Sequence, residues 1–427
     1  MPGSGPGDKA QGMKPLRIYA IATLDSKGRE LAFIGEAIRE TGIEVVLVDV
    51  SLKGAPQIAP DVSREKVADF HPEGRQAVLS SSIHESSHTA MGEALAHFLA
   101  AEQAAGRLHA AIGLGGSEGT ALIAPALRAL PLGVPKMMVS TLASGDTRPY
   151  VGTSDLTMAF PVTDISGLNF LSTRILRNAA HAVAGMARVG GPASASAPAV
   201  GLTMFGVTTP CVDRVREGLE ARGWEGVVFH AVGTGGAAME ELAARGAFRA
   251  IMDLTTTEIA DGVLGGIYPA APNRFDAVAL HDIPAVIGVG ALDMANFGPR
   301  QSVPARYRHR LLHQHTPLVT LMRTSPEENE VFGRYLAEKI NMGKGPCVVL
   351  LPEQGVSSLD APGQPFHDPG ADEALFRALE GALRPTATRR ARRLPCHINS
   401  KAFAHAALEA LDEVLGNRGP GSRESHS

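Results

Sequence analysis

Short apolar runs alternate with segments whose apolar positions recur every three or four residues, and this alternation organises the chain. Ile18 to Thr23 reads as a buried strand, with a polar turn, Leu24-Asp25-Ser26-Lys27-Gly28, after it. Leu31, Ile34 and Ile38 then keep helical spacing until Thr41-Gly42 stops the helix, and Glu44 to Val50 is the next strand. Such a βαβ unit crosses over right-handed into a parallel sheet. Ser51 to Arg75, broken by Pro56, Pro60 and Pro72, is expected to be irregular, and a helix follows from about His84 to Ala105. Ala110 to Gly115 is a strand running into a glycine turn, and Ala121 to Leu130 has a helical pattern. Pro135 to Ser140 and Leu156 to Val162 read as strands, and Leu168 to Arg188 as a long helix.

After the Gly/Pro/Ala/Ser stretch at 190–198 the grammar restarts. Val200 to Phe205, Val227 to Val232, Arg249 to Leu254, Pro284 to Val289, Leu318 to Met322 and Cys347 to Leu351 are the expected strands. Helices fit Cys211 to Ala221, Ala237 to Ala244, Glu327 to Asn341, Asp372 to Leu383 and Lys401 to Leu415. Residues 17–50 and 199–232 share strand, polar turn, helix, glycine and strand at similar spacing. The pattern predicts an α/β protein of two Rossmann-like, doubly wound subdomains with a cleft between them. Their expected extents are 15–188 and 199–416, with a linker over 189–198 and disordered tails over 1–14 and 417–427.

Composition narrows the function classes. The 427 residues are 44% hydrophobic and 20% charged with a net charge of −4, an ordinary soluble balance with no pull toward nucleic acid or anionic membrane. Three dispersed cysteines, with no Cys-x-x-Cys pair, indicate neither a zinc knuckle nor a disulfide framework. No apolar run approaches the ~20 residues of a membrane span. A cytoplasmic protein without nucleic-acid or membrane partners is expected.

The candidate chemistry sits in the turns after the strands. At Gly113-Leu114-Gly115-Gly116-Ser117-Glu118-Gly119-Thr120 a strand gives way to a helix start, where backbone N–H groups and the helix dipole favour an anion. On its residues alone this is read equally well as a plain βα turn, and the Glu118 carboxylate would repel a phosphate. A second glycine cluster, Gly233-Thr234-Gly235-Gly236, lies at another apparent βα junction. Hydroxyl-rich turns (Ser140-Thr141, Ser144, Thr208-Thr209, Thr255 to Thr257) and the carboxylates Asp25, Asp146, Asp253 and Glu258 surround these clusters, with Lys27 and Arg148 to balance phosphate charge. Asp suits a magnesium ion held mainly through water. No Walker A motif is present, and glutamate stands where Gly-x-Gly-x-x-Gly needs its third glycine.

Other constellations are weaker. His84-Glu85-Ser86-Ser87-His88 matches His-Glu-x-x-His, yet it lies at a helix start and lacks a third ligand, so a chance match is the better reading. His313-Gln314-His315 reads as two ordinary polar histidines, Cys211 as a packed cysteine, and Arg389-Arg390-Ala391-Arg392-Arg393 as a solvated loop.

Taken in order, the loops carry a resemblance. They include Ala22-Thr23-Leu24-Asp25-Ser26-Lys27-Gly28, Gly113 to Thr120, Val139-Ser140-Thr141 through Arg148 to Asp155, and Gly201 through Thr208-Thr209-Pro210-Cys211. Gly233 to Gly236, Asp253 to Glu258, Gly290 to Met294, Asn296 to Gly298 and Asp360 to Gly363 continue it. Over roughly residues 16–415 the chain resembles the Tm-one-like ATP-binding domain family, an otherwise uncharacterised family named after a plant tobamovirus-resistance protein. The resemblance implies two Rossmann-like subdomains, ATP binding, and self-association into a homodimer or higher homo-oligomer.

Together these readings give an expected function. ATP, with Mg2+, is held mainly on N-terminal loops by Thr23, Leu24, Asp25, Lys27, Gly115, Gly116, Ser117, Gly119 and Thr120. Ser140, Thr141, Gly145, Asp146 and Arg148 add to this set, as do Gly233, Gly235 and Gly236. In one reading the protein transfers or hydrolyses phosphoryl groups on a small metabolite in the cleft, with Asp25, Asp146, Asp253 or Asp293 holding metal or activating a nucleophile. In the other it is a non-catalytic sensor or interaction module, in which ATP stabilises a dimer that binds a macromolecule.

Overall fold

The computed structural model describes residues 15–80, 84–189, 191 and 197–416. The expected tails and most of the expected linker lie outside the described residues. Two compact units divide the chain, Met1–Ser194 and Ala195–Ser427.

The first unit is a five-stranded parallel sheet built from β1 (Arg17–Ala22), β2 (Glu44–Asp49), β3 (Ala110–Gly115), β4 (Lys136–Ser140) and β5 (Thr157–Ala159). Its order is β2-β1-β3-β4-β5, so the winding reverses between β1 and β3. The pleat explains the two-sided core. Ile18, Ala20 and Ala22 face a cluster with α1 (Leu24–Arg39) and the Phe170–Val189 helix, whereas Tyr19 and Ile21 face one formed with α2 (His84–Ala104) and α3 (Ser117–Ala129). β3 is buried at every position, as a central parallel strand covered on both faces must be. A Cβ on Gly113 would lie 2.6 Å from both Ile123 and Met138, so glycine there lets α3 pack close to the sheet.

The second unit repeats the plan. Its parallel sheet comprises β6 (Ala199–Met204), β7 (Glu225–His230), β8 (Ala250–Thr255), β9 (Ala285–Gly290), β13 (Cys347–Pro352) and β14 (Arg389–Leu394) in the order β14-β13-β9-β8-β6-β7. Between β9 and β13 the chain forms a three-stranded antiparallel sheet, β10 (Met294–Phe297), β11 (Leu312–Thr316) and β12 (Val319–Arg323). The repeat expected from residues 17–50 and 199–232 is present: Gly42 and Gly223 end the first helix of each half with φ of +81° and +77°. Both units have the doubly wound α/β fold expected of them.

Several local expectations are corrected. Leu24 to Gly28 is the first turn of α1, with only Lys27 departing from helical dihedrals (φ −121°, ψ 15°). A short helix, Arg64–Ala68, interrupts the region expected to be irregular, and a second, Arg75–Leu79, begins at its end. Gly235 and Gly236 lie inside the Thr234–Ala244 helix instead of before it. The arginine run is not a loop but the edge strand β14, where Arg393 pairs with Glu373 and Glu380, and Arg390 and Arg392 with Glu413. Cys211 is a packed cysteine, as expected, and burial pushes its thiol up to about 12 despite its place in a helix's first turn. Among the described residues no helix is long and apolar enough to cross a membrane.

Candidate functional site

In doubly wound sheets ligands settle beyond the carboxyl ends of the strands where the winding reverses. In the first unit that place, beyond β1 and β3, holds a cavity of about 420 Å3, within the size range of small-molecule sites. Its floor and walls come from the turns after three adjacent strands: Thr23, Asp25 and Lys27 after β1, Val50, Leu52 and Lys53 after β2, and Gly115 to Gly119 after β3.

Two helices start at this cavity, and they differ. The leading N–H groups of α1 are already taken: Leu24 donates to Asp49 Oδ1 at 3.1 Å and Asp25 to Ser51 Oγ at 3.1 Å. The helix α3 begins after Gly116, which offers no side-chain cap, so among the described residues the N–H groups of Ser117, Glu118 and Gly119 have neither an intrahelical carbonyl nor a capping side chain. A Cβ on Gly116 would meet only Thr141 Oγ1, at 3.9 Å, whereas a Cβ on Gly115 would lie 2.8 Å from Gly119 Cα. Gly115 therefore permits the packing of strand against helix, and Gly116 leaves the helix start open. Two lysines supply positive charge: the Lys27 ammonium donates to the Ile165 carbonyl at 2.6 Å, and Lys53 is exposed. Asp25 and Glu118 line the same space.

The expected residues divide on this geometry. Thr23, Asp25, Lys27, Gly115, Gly116, Ser117 and Gly119 line the cavity. Leu24 and Thr120 are buried behind it, Thr120 Oγ1 lying 2.6 Å from Ser140 Oγ and tying α3 to the end of β4. Gly145, Asp146 and Arg148 are exposed, and Asp146 and Arg148 clasp each other at 2.8 Å. Sequence reasoning passed over Lys53, which belongs to a stretch of irregular appearance. The lysine's signal was its position three residues after Val50, because β2 neighbours β1 in the sheet. His88 also lines the cavity, its Nε2 lying 2.9 Å from the Glu118 carbonyl. The side chains of His84 and Glu85 lie outside the described ones, and among the described residues no group of three ligating side chains is poised to hold a metal. His313 stands on β11 against the Phe366 ring.

In the second unit the expected residues are enclosed. The Arg274 guanidinium, fully buried, meets Glu258 at 2.8 Å through Nε, Glu240 at 2.5 Å through Nη1 and Asp253 at 2.7 Å through Nη2. The contact with Asp253 is one of charge, without an aligned hydrogen bond, and Asp253 also accepts from Thr203 Oγ1 at 2.7 Å. Glu258 Oε1 accepts the N–H groups of Gly233 at 2.7 Å and Gly236 at 3.3 Å. Burial raises the pKa of Glu240 and Glu258, and Arg274 opposes the rise.

Asp293, also fully buried, accepts from Ser357 Oγ at 2.8 Å beside Asp360, Asp372 and Arg323. Burial first, then the Asp360 charge, pushes Asp293 up to about 7, and the same causes raise Asp372. The other groups facing this cluster are His367, bonded to the Asp360 carbonyl, and His397, bonded to the Ser357 carbonyl. A raised carboxyl pKa means that the folded state holds protons the unfolded chain releases. Stability from this pair is therefore fully present below about pH 4 and declines as pH rises through about 7 for Asp293 and about 9 for Asp372. Asp293→Asn should flatten that decline, gaining on the order of 2 kcal/mol at about pH 8 while changing little at about pH 4.5. Urea unfolding followed through Trp224, the single tryptophan and a buried residue of this unit, measures it.

Comparison with known proteins places the chain. Residues 16–191 match the model described as Uncharacterised protein family (UPF0261) N-terminal domain, and residues 197–415 match its C-terminal-domain counterpart. A UPF0261 protein of Rhizobium meliloti (strain 1021) is 50% identical over 399 residues, covering 93% of this chain and 99% of that protein. A UPF0261 protein of Clostridium tetani is 40% identical over 400 residues, covering 93% and 99%. The ToMV resistance protein Tm-1(GCR237) of Solanum lycopersicum is 41% identical over 427 residues, covering 95% of this chain and 56% of the tomato protein. The resemblance carried by the loops is thus borne out over almost the whole chain, and the protein belongs to the uncharacterised protein family UPF0261.

Proposed function

We propose that the first unit binds ATP as its magnesium complex in the cavity beyond β1 and β3, with the phosphates on the start of α3. The observation that carries the reading is the uncapped helix start after Gly116, opening into a cavity flanked by Lys27 and Lys53. First-turn N–H groups and the helix dipole suit phosphoryl oxygens, and two ammonium groups offset part of their charge. The carboxylates fit magnesium better than they fit a bare phosphate. Asp25 and Glu118 would face the ion through its water shell, which also gives Glu118 a role compatible with an anionic ligand. Magnesium would supply charge neutralisation, while the chain's own N–H groups and lysines orient the phosphates.

Of the four carboxylates expected to serve catalysis, only Asp25 lines this cavity. In the phosphoryl-transfer reading Asp25 is therefore the residue to test. The alternative is a sensor or interaction module that binds ATP without turnover and associates with itself and a macromolecule. Lys53→Ala and Lys27→Ala should each weaken Mg-ATP binding by roughly 10-fold or more, the value of a hydrogen bond to a charged group. Calorimetry reads this effect, and unchanged affinity in both variants would remove the lysines from the site. Steady ADP release that is lost in Asp25→Ala while ATP still binds supports the enzyme, and its absence in the wild-type protein supports the module.

A further inference from the structure

The second unit repeats the reversal of winding, between β6 and β8, but there the turns close on one another. Glu258 stands just after β8, where the first unit has the open start of α3. Its side chain reaches the turn after β7 and accepts two glycine N–H groups at the start of the Thr234–Ala244 helix. Arg274 completes the arrangement from the other side at 2.8 Å. Two backbone N–H groups at a helix start, together with a guanidinium, form a donor set suited to a phosphate. A Cβ on Gly236 would lie 2.3 Å from both Glu258 Oε2 and Arg274 Nε, so the glycine is what lets these charged groups approach the helix.

We infer that Glu258 fills the anion position of the second unit with the protein's own carboxylate, so that this turn is closed internally to a phosphate. The inference rests on the second unit alone and stands apart from the ligand of the first. Removing the carboxylate but keeping Arg274, on which Glu240 and Asp253 remain, empties the position while leaving its two N–H groups and the guanidinium in place.

The test compares full-length wild type, Glu258→Ala and Glu258→Gln in inorganic phosphate and in sodium chloride of equal ionic strength, at about pH 6. Thermal unfolding is followed by Trp224 fluorescence, which reports this unit specifically. Phosphate should raise the midpoint of Glu258→Ala by on the order of 3 °C over chloride. It should leave wild type and Glu258→Gln, whose amide still fills the space, unmoved. If Glu258→Ala is unfolded in chloride, recovery of native fluorescence in phosphate supports the inference, and failure to recover overturns it. Equal midpoints for a folded Glu258→Ala in the two salts, or a phosphate shift of the same size in wild type or Glu258→Gln, also overturn it.

Discussion

Arg274→Met should destabilise the second unit by about 3–5 kcal/mol, a loss readable in urea through Trp224. The reason is arithmetic of charge in a buried place. One guanidinium, fully buried, faces Asp253, Glu240 and Glu258, themselves buried, so removing it leaves three carboxylates with no counter-charge. Their remaining relief is protonation, and burial has already moved Glu240 and Glu258 that way. The loss should therefore be smaller at about pH 5 than at about pH 8. Arg274 also stacks on the Phe275 ring at 4.3 Å, an apolar contact that methionine partly keeps, which isolates the charge effect. A variant as stable as wild type at both values would show that the carboxylates are neutral in the native protein.

Neighbouring glycines at the first-unit cavity should respond in opposite ways. Gly115→Ala places a methyl 2.8 Å from Gly119 Cα and 3.1 Å from the Thr120 nitrogen, both backbone atoms that cannot rotate aside. The helix α3 must move off the strand, at a cost of about 1–3 kcal/mol. Nucleotide binding should fall with stability, because the donors sit on the displaced turn. Gly116→Val adds its side chain in open space, at a position whose φ of −76° any residue accepts. It should fold like wild type, with a melting temperature within about 2 °C, yet lose ATP affinity by at least about 10-fold, as the side chain covers the helix start. The pair separates a structural glycine from a ligand-facing one by melting temperature and calorimetry together.

Much of the architecture was legible because parallel strands buried on both faces are written as continuous apolar runs. β3, β8, β9 and β13 all have this form, and all were visible. β14 was not, because four of its six residues are arginines, and the charges of Arg390, Arg392 and Arg393 are met by Glu373, Glu380 and Glu413 from the helices that precede and follow the strand, a pairing that appears only in the fold. The glycine turn at 113–120 was legible as a unit, but not the division of labour within it, which depends on how near Gly119 and Thr141 come in three dimensions. Lys53 was missed, and His88 was weighed only as part of a zinc pattern, for a related reason: each reaches the cavity through sheet order or a helix crossing, neither of which has a local signature. For Asp253 and Asp293 the residue type suggested chemistry, while their burial beside Arg274 and Arg323 appears only in the fold.

The uncapped start of α3 should receive the phosphates of ATP. Titration calorimetry of the full chain with Mg-ATP, wild type beside Gly116→Val, tests it most directly. One site per chain is expected in wild type, with a loss of at least about 10-fold in the variant at unchanged melting temperature. No binding by wild type at millimolar Mg-ATP, or equal affinity in a folded Gly116→Val, would contradict it.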